Sequence, residues 1–241
     1  MDHFDKLTVE YFNSQPSGAY TSVERHKRSG FVEHVSAFQP VLMLDLGCGQ
    51  GAFASLVKQY SPATKVICMD ISPGMLIHAP EAFPRVVGSA LAPPILSESV
   101  EMVHVQGLLH HLVGPTRAAS RQFASQALFQ ATRILKPGGH LLLGDVYYEP
   151  GWIGGTIFWI KRGLTWIFGN QRLRGFGAPV TSFYTRSQLQ KLLQVQCLEI
   201  ESIRLYPWTT KKSKSWGILP IIAKKLFRLQ WGDIWIIARK Q

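Results

Sequence analysis

The stretch VLMLDLGCGQGAFA, residues 41–54, decides the fold of this 241-residue chain. It begins as a short apolar run, typical of a buried strand, and ends as the start of a helix. Gly47, Gly49 and Gly51 lie between the two, where a tight turn favours glycine and leaves main-chain N–H groups able to face a ligand. The stretch therefore predicts a nucleotide-binding turn at the carboxyl end of a buried strand.

Further strands and helices alternate after this turn. The chain has strand-like runs at residues 65–70, 85–88, 100–105 and 139–145, and helix-length segments at 52–60, 73–79 and 117–135. A helix capped by Thr185 and two more strands, 198–206 and 233–240, follow. This order predicts an α/β fold, a doubly wound, mostly parallel seven-stranded Rossmann-like sheet with helices on both faces.

Charged residues around the glycines indicate what the turn binds. The glycines alternate as G-x-G-x-G, and Asp45 lies two positions before the first of them. A carboxylate there would repel a pyrophosphate and attract a cationic ligand. Asp70 ends the second strand, where a carboxylate can accept hydrogen bonds from both hydroxyls of a ribose. The pattern indicates a positively charged nucleoside.

Three features together resemble the class I S-adenosylmethionine-dependent methyltransferases: LDLGCGQG at 44–51, Asp70, and LKPGG at 135–139. By itself, LKPGG predicts only the end of a helix and the start of a strand. The resemblance covers residues 40 to 146, and more loosely 182 to 240. It implies S-adenosylmethionine as cofactor, with its methionine part held by Asp45, Gly47, Cys48, Gly49, Gly51 and Gln106, its ribose by Asp70 and Ile71, and its adenine by Ser89 and Ala90. Ser89 departs from the family, which usually has an aspartate there.

Methyl transfer from a sulfonium is an in-line displacement that needs a base only when the acceptor must lose a proton. His110 and His111 follow the fourth strand, where family members read similarly. On a helical turn they would point about 100° apart, so that only one could face the site. His111 is the preferred base, and a packing role for both stays open. Asp145 and Glu149 could orient a substrate or be structural.

The N-terminal segment and the cysteines bear on location. Residues 1–40 have helical spacing from Tyr20 to Val35, which predicts lid or packing helices with Phe4, Tyr11 and Tyr20 as lid contacts. The segment is acidic and lacks the apolar run of a signal peptide. Three scattered cysteines predict neither a disulfide framework nor a metal site. We therefore expect a cytoplasmic protein.

The excess positive charge of +11 lies in the C-terminal part. Up to residue 150 there are 11 basic and 12 acidic residues; beyond it there are 15 and 3, together with all seven tryptophans. The sequence predicts basic, tryptophan-rich insertions at 147–181 and 207–231, on the substrate side of a single methyltransferase domain, 1–241. In the second insertion, residues 219–229 would carry Lys224, Lys225 and Arg228 opposite aliphatic residues.

The first insertion is predicted to contain an amphipathic helix over 157–168. Its apolar side would consist of Ile157, Ile160, Leu164, Ile167 and Phe168, with the polar side formed by Lys161, Arg162 and Thr165. The two cations interrupt the most apolar stretch, 152–168, so no transmembrane span is expected. Tryptophan and cations beside aliphatic residues favour docking at an anionic membrane surface. Packing of these faces on the domain or on a second subunit is an equal alternative.

The predicted function is methylation of oxygen or carbon in a hydrophobic small molecule, quinone-like or lipid-linked. An RNA methyltransferase using the basic surface is one alternative, although aromatic residues accompanied by Ile and Leu favour lipid over nucleic acid. A noncatalytic, cofactor-binding interaction protein is another. The sequence does not decide the oligomeric state.

Overall fold

One seven-stranded sheet organises the protein in the computed structural model, which describes residues 9–18, 23–172, 180–208 and 229–241. Its spatial order is β3-β2-β1-β4-β5-β7-β6. The first five strands are parallel, and β7 runs antiparallel between β5 and β6. The strands are β1 Leu42–Leu46, β2 Lys65–Asp70, β3 Arg85–Val87, β4 Val100–Gln106, β5 Leu135–Glu149, β6 Leu198–Pro207 and β7 Gln230–Lys240. The predicted α/β class and seven mostly parallel strands are confirmed.

Helices cover both faces of the sheet. They are α1 Val23–Ser29, α2 Phe31–Phe38, α3 Ala52–Tyr60, α4 Pro73–Leu76, α5 Arg117–Ile134, α6 Trp152–Arg172 and α7 Arg186–Gln194, with a 3₁₀ turn at Leu109–His111 and helical residues at 9–13. One apolar cluster joins the sheet to α5 and α7 through Leu128 and Leu193. A second joins it to α2 and α3 through Phe31 and Phe53.

The helical spacing noted from Tyr20 to Val35 corresponds, in its described part, to two packed helices. Two helices, α1 and α2, meet at Gly30, which has a φ of 76°. The positive φ favours glycine at this position, and the flexible side chain of Arg204 would have to move to admit a Cβ. Tyr11 lies in the helical residues 9–13. The predicted lid contacts Phe4 and Tyr20 lie outside the described residues.

Other element boundaries differ from the sequence-based expectation. α4 stops at Leu76 instead of residue 79, ahead of Pro80. Thr185 caps α7 as predicted, in a reciprocal capping box with Gln188. The predicted strands 139–145 and 233–240 are both longer. Their antiparallel pairing runs from His140 opposite Arg239 to Glu149 opposite Gln230. The additional residues 147–149 of β5 thus pair with the additional residues 230–232 of β7.

LKPGG forms the irregular start of β5. α5 ends at Ile134, as the motif predicts, but Leu135 already pairs with Val100. The next paired residues are Met102 and His140, so residues 136–139 bulge out of the ladder.

In the part of the chain that the structure describes, no helix combines the length and hydropathy needed to cross a bilayer. The basic helix expected at 219–229 lies outside the described residues, apart from position 229.

Candidate active site

The glycine turn is tied to the neighbouring strand. The N–H groups of Gly47 and Cys48 both donate to the carbonyl of Met69 in β2, over 2.8 and 3.0 Å. The φ angles of Gly47, Gly49 and Gly51 are 76°, 55° and 74°, in the left-handed region that glycine tolerates. The turn therefore follows a backbone path that other residues would strain.

A cavity of about 250 Å³ opens beside this turn, at the carboxyl ends of β1, β2 and β4. Its walls include every predicted cofactor and catalytic residue except one: Asp45, Gly47, Cys48, Gly49, Asp70, Ile71, Ser89, Ala90, Gln106, His110 and His111. The exception is Gly51, the N-cap residue of α3. A Cβ at Gly51 would lie 3.1 Å from the ring of Pro80, so this glycine permits close packing outside the cavity walls.

Asp70 braces the turn from the cavity wall. Its Oδ2 accepts the N–H of Gly49 and its Oδ1 accepts the N–H of Ser72, each over 2.9 Å. Burial raises the pKa of this carboxyl, and the two backbone donors oppose that rise. The carboxylate therefore holds the loop while lining the cavity, where remaining lone pairs can meet ribose hydroxyls.

The thiol of Cys48 is poorly suited to nucleophilic chemistry. Contact with Cys68 and burial raise its pKa above the ordinary value for a thiol. Cys48 therefore lines the cavity and takes no part in nucleophilic chemistry.

A buried pair joins Asp45 to His104, a residue that the sequence analysis missed. Asp45 is 1% exposed, and its Oδ1 lies 2.7 Å from Nδ1 of His104. The ring of Phe53 stacks on the imidazole at 3.6 Å. The second carboxylate oxygen of Asp45 is buried without a hydrogen-bond partner. Such an oxygen beside a glycine turn fits a positively charged ligand group.

α1 brings two further unpredicted side chains to the cavity. His26 lies with its ring 5.8 Å from that of His104, and burial together with His104 lowers the pKa of His26 to about 4. Arg25 lines the same wall, and its guanidinium lies 2.6 Å from a carboxylate oxygen of Asp233 in β7. These contacts depend on how α1 packs against the sheet, which local sequence does not specify.

His110 has a carboxylate partner. Its Nδ1 lies 2.5 Å from Oδ1 of Asp145, which is fully buried in β5. The same oxygen accepts the N–H of Val146 over 2.6 Å. Asp145 thus fixes the orientation of the imidazole. The sequence analysis expected Asp145 to orient a substrate or to be structural and did not predict its pairing with His110.

Both histidines line the cavity, so the expectation that only one could face it is wrong. The rings of His110 and His111 lie 4.1 Å apart at 42°, because they share a 3₁₀ turn that forms part of the wall. Phe12 packs edge-on against His111 at 5.1 Å. Burial and the neighbouring His110 hold the pKa of His111 well below its usual value, which keeps that imidazole neutral.

Glu149 is committed to structure. Arg186, the first residue of α7, makes two side-chain hydrogen bonds to its carboxylate, which lower the pKa of Glu149. The pair ties the end of β5 to α7, and Glu149 does not line the cavity.

The wall around the two histidines is otherwise apolar, with Phe12, Leu108 and Leu112 lining it. Phe183 stacks on His110 at 5.3 Å. Within the described ranges, no group of three or more His, Cys, Asp or Glu side chains is arranged to hold a metal ion. The geometry thus offers a charged end near Asp45 and an apolar end beside His110.

Comparison with known proteins identifies the class. Residues 44–143 match the family model described as a methyltransferase domain. A geranyl diphosphate C-methyltransferase from Streptomyces coelicolor, whose crystals contain S-adenosyl-L-homocysteine, has the same fold. Its TM-score is 0.64 at 14% identity, covering 100% of this chain and 99% of that one. The resemblance to the class I methyltransferases is thereby confirmed.

Two curated relatives match parts of the chain. An uncharacterized 37.1 kDa protein in transposon TN4556 of Streptomyces fradiae is 32% identical over 146 residues, 58% of this chain. A malonyl-[acyl-carrier protein] O-methyltransferase of Methylococcus capsulatus is 34% identical over 108 residues, 42% of this chain. This chain covers 39% and 36% of the lengths of these two relatives.

Proposed function

We propose that this protein is an S-adenosylmethionine-dependent methyltransferase that methylates oxygen or carbon of a hydrophobic small molecule. The observation that carries the proposal is the unpartnered, buried oxygen of Asp45 beside the glycine turn. An isolated buried carboxylate oxygen is costly, and a positively charged ligand would remove that cost.

The cavity residues fit this cofactor along its whole length. Asp45 and the glycine turn are suited to the charged methionine part, Asp70 to the ribose, and Ser89 with Ala90 to the adenine. S-adenosylmethionine, when bound, supplies a methyl group activated by a positively charged sulfur. The residues around it position the acceptor and exclude water.

His110 is the better candidate for the general base than His111, which the sequence analysis preferred. Asp145 can hold Nδ1 of His110 in its protonated form, which leaves Nε2 to take a proton from the acceptor. The carboxylate then stabilises the imidazolium that forms. His111 has no carboxylate partner among the described contacts, and its surroundings disfavour the protonated form.

The acceptor is hydrophobic because the wall on the histidine side is built from Phe12, Leu108 and Leu112. A quinone-like or lipid-linked molecule has both an apolar body and an ionisable oxygen or carbon for His110. A cytoplasmic enzyme could collect such an acceptor at a membrane surface.

Isothermal titration with S-adenosylmethionine and S-adenosylhomocysteine tests cofactor use. We expect both to bind; failure of both would refute the proposal. Incubation with radiolabelled cofactor and separate lipid and RNA extracts then tests the acceptor. Label in the lipid fraction supports the proposal, and label only in RNA would establish the nucleic-acid alternative instead.

A further inference from the structure

Over residues 152–167, where the side chains of α6 are described, its outward face is largely apolar and carries no charge. Trp152, Trp159 and Trp166 recur every seven residues and are 57%, 55% and 88% exposed. Ile160 and Ile167 lie beside them and are also more than half exposed. Within residues 152–167, the remaining exposed positions are Thr156 and Gly163. We call this set, at positions 152, 156, 159, 160, 163, 166 and 167, the tryptophan face.

The predicted polar residues of α6 lie away from this face. Lys161, Arg162 and Thr165 are partly buried, whereas Ile160 and Ile167 are exposed. The guanidinium of Arg162 reaches the carbonyl of Gly114 over 3.5 Å, and partial burial lowers the pKa of Lys161. Two residues of the predicted apolar side, Ile160 and Ile167, are therefore exposed to solvent instead of packed on the domain.

Close packing fixes this orientation. A Cβ at Gly154 would lie 3.0 Å from the carbonyl oxygen of Phe183, and one at Gly155 would lie 2.9 Å from the guanidinium of Arg117. Phe158, between the helix and Val113, is fully buried. The glycine side and Phe158 face the protein, so the tryptophan face must point outward.

α6 lies beside the mouth of the cavity. It begins three residues after the end of β5, at the same sheet edge as the glycine turn. Its inner side contacts the segment that follows the two histidines, through Val113 and Gly114. Lys161 is close enough to His111 to lower the pKa of that histidine. A surface bound to the tryptophan face would therefore lie near the acceptor end of the cavity.

We propose that the tryptophan face docks on an anionic lipid bilayer and delivers a membrane-dissolved acceptor to His110, an inference that rests on the proposed function. Indole and aliphatic side chains without charge suit the headgroup boundary of a bilayer. The net charge of +11 draws the chain to an anionic surface and opposes close approach of a second copy.

Cosedimentation of the full chain with vesicles tests the docking surface. The vesicles contain phosphatidylcholine alone, or roughly one part phosphatidylglycerol to two parts phosphatidylcholine. The wild type should bind the anionic vesicles preferentially. The double variant Trp159→Ala/Trp166→Ala should bind them roughly tenfold more weakly, since it loses the two indoles. Phe129→Ala, which removes another half-exposed aromatic from a helix, should bind like the wild type.

Titration with S-adenosylhomocysteine separates the two proposals. Unchanged affinity in the double variant shows that its fold and cofactor site are intact. Wild-type protein that binds the cofactor product but no vesicles, or a double variant that binds vesicles like the wild type, overturns docking alone. Absence of cofactor binding by the wild type overturns the proposed function. Sedimentation velocity showing a dimer that the double variant abolishes, without vesicle binding, assigns the face to a second copy and also overturns docking.

Discussion

The cofactor cavity and α6 depart from the usual distribution of side chains in opposite directions. At the cavity and directly behind its wall, the carboxyl groups of Asp45 and Asp145 are almost fully buried. On α6, large apolar groups such as Trp159 and Trp166 are exposed while Lys161 is partly buried. Each arrangement costs stability unless something outside the chain compensates. Under the two proposals, a small charged molecule completes the first region and a lipid bilayer completes the second.

Two Asp–His pairs around the cavity can be compared in the same way. Asp45 with His104 lies at the glycine turn, and Asp145 with His110 lies at the apolar end. Their similar geometry would serve different purposes, cofactor binding in the first pair and proton transfer in the second.

The largest effect should come from His110→Gln. Removing the base should lower turnover about 100- to 1000-fold and leave the affinity for S-adenosylhomocysteine unchanged. Turnover is measured with saturating cofactor and acceptor. His111→Gln is the matched control, and a larger loss from this variant than from His110→Gln would return the role of base to His111.

The two sides of α6 should respond differently to truncation. Phe158→Ala removes a fully buried ring and should lower the free energy of unfolding by about 3 kcal/mol. Trp166→Ala should change it by less than about 0.5 kcal/mol, because the indole is mostly in solvent. Urea denaturation followed by circular dichroism measures both. Equal losses would mean that the tryptophan face is packed in solution.

Asp45→Asn should weaken S-adenosylmethionine binding about 10- to 100-fold, because a charge-assisted contact becomes a neutral one. Asparagine keeps an oxygen for His104, so the fold should survive. Calorimetric titration measures the affinity. Asp145→Asn is the control: it should reduce turnover and leave this affinity unchanged. If Asp145→Asn weakened cofactor binding and Asp45→Asn reduced only turnover, the roles of the two pairs would be exchanged.

The smallest effect concerns Ser89, where the chain departs from its family. Its hydroxyl accepts the N–H of Leu91 over 3.2 Å. Ser89→Asp would offer the adenine amino group a charged acceptor and should tighten cofactor binding about fivefold, or about 1 kcal/mol. Titration of both forms decides this, and weaker binding by the variant would indicate that adenine does not contact position 89.

Local signals in the sequence were sufficient to predict most of the strands of the sheet and most of the residues that line the cavity. Parallel strands buried on both faces appear as continuous apolar runs, so β1, β2 and β4 were located to within a residue or two. The glycine turn and Asp70 were recognisable because their spacing follows from backbone geometry. His104 could have been found too, since it lies two residues before Gln106 on the same strand and therefore on the same side.

Other features depend on contacts distant in sequence. The break at Gly30 accompanies the approach of Arg204 from the far edge of the sheet. α6 is apolar on nearly every side, so its periodicity could not distinguish the inner from the outer face. Gly154 and Gly155 decided that orientation through their fit against Phe183 and Arg117. The partnership of Asp145 with His110 likewise required the tertiary structure.

The junction between β6 and β7 has a consequence for how such a protein could diversify. The N–H of Trp208 donates to the carbonyl of Trp231, and the indole of Trp208 donates to Asp233. These two hydrogen bonds thus join the end of β6 to the start of β7, where the chain leaves and re-enters the sheet. Because closing a longer loop there adds little entropy cost, segments of different length and chemistry could be exchanged at this junction while the catalytic framework stays intact.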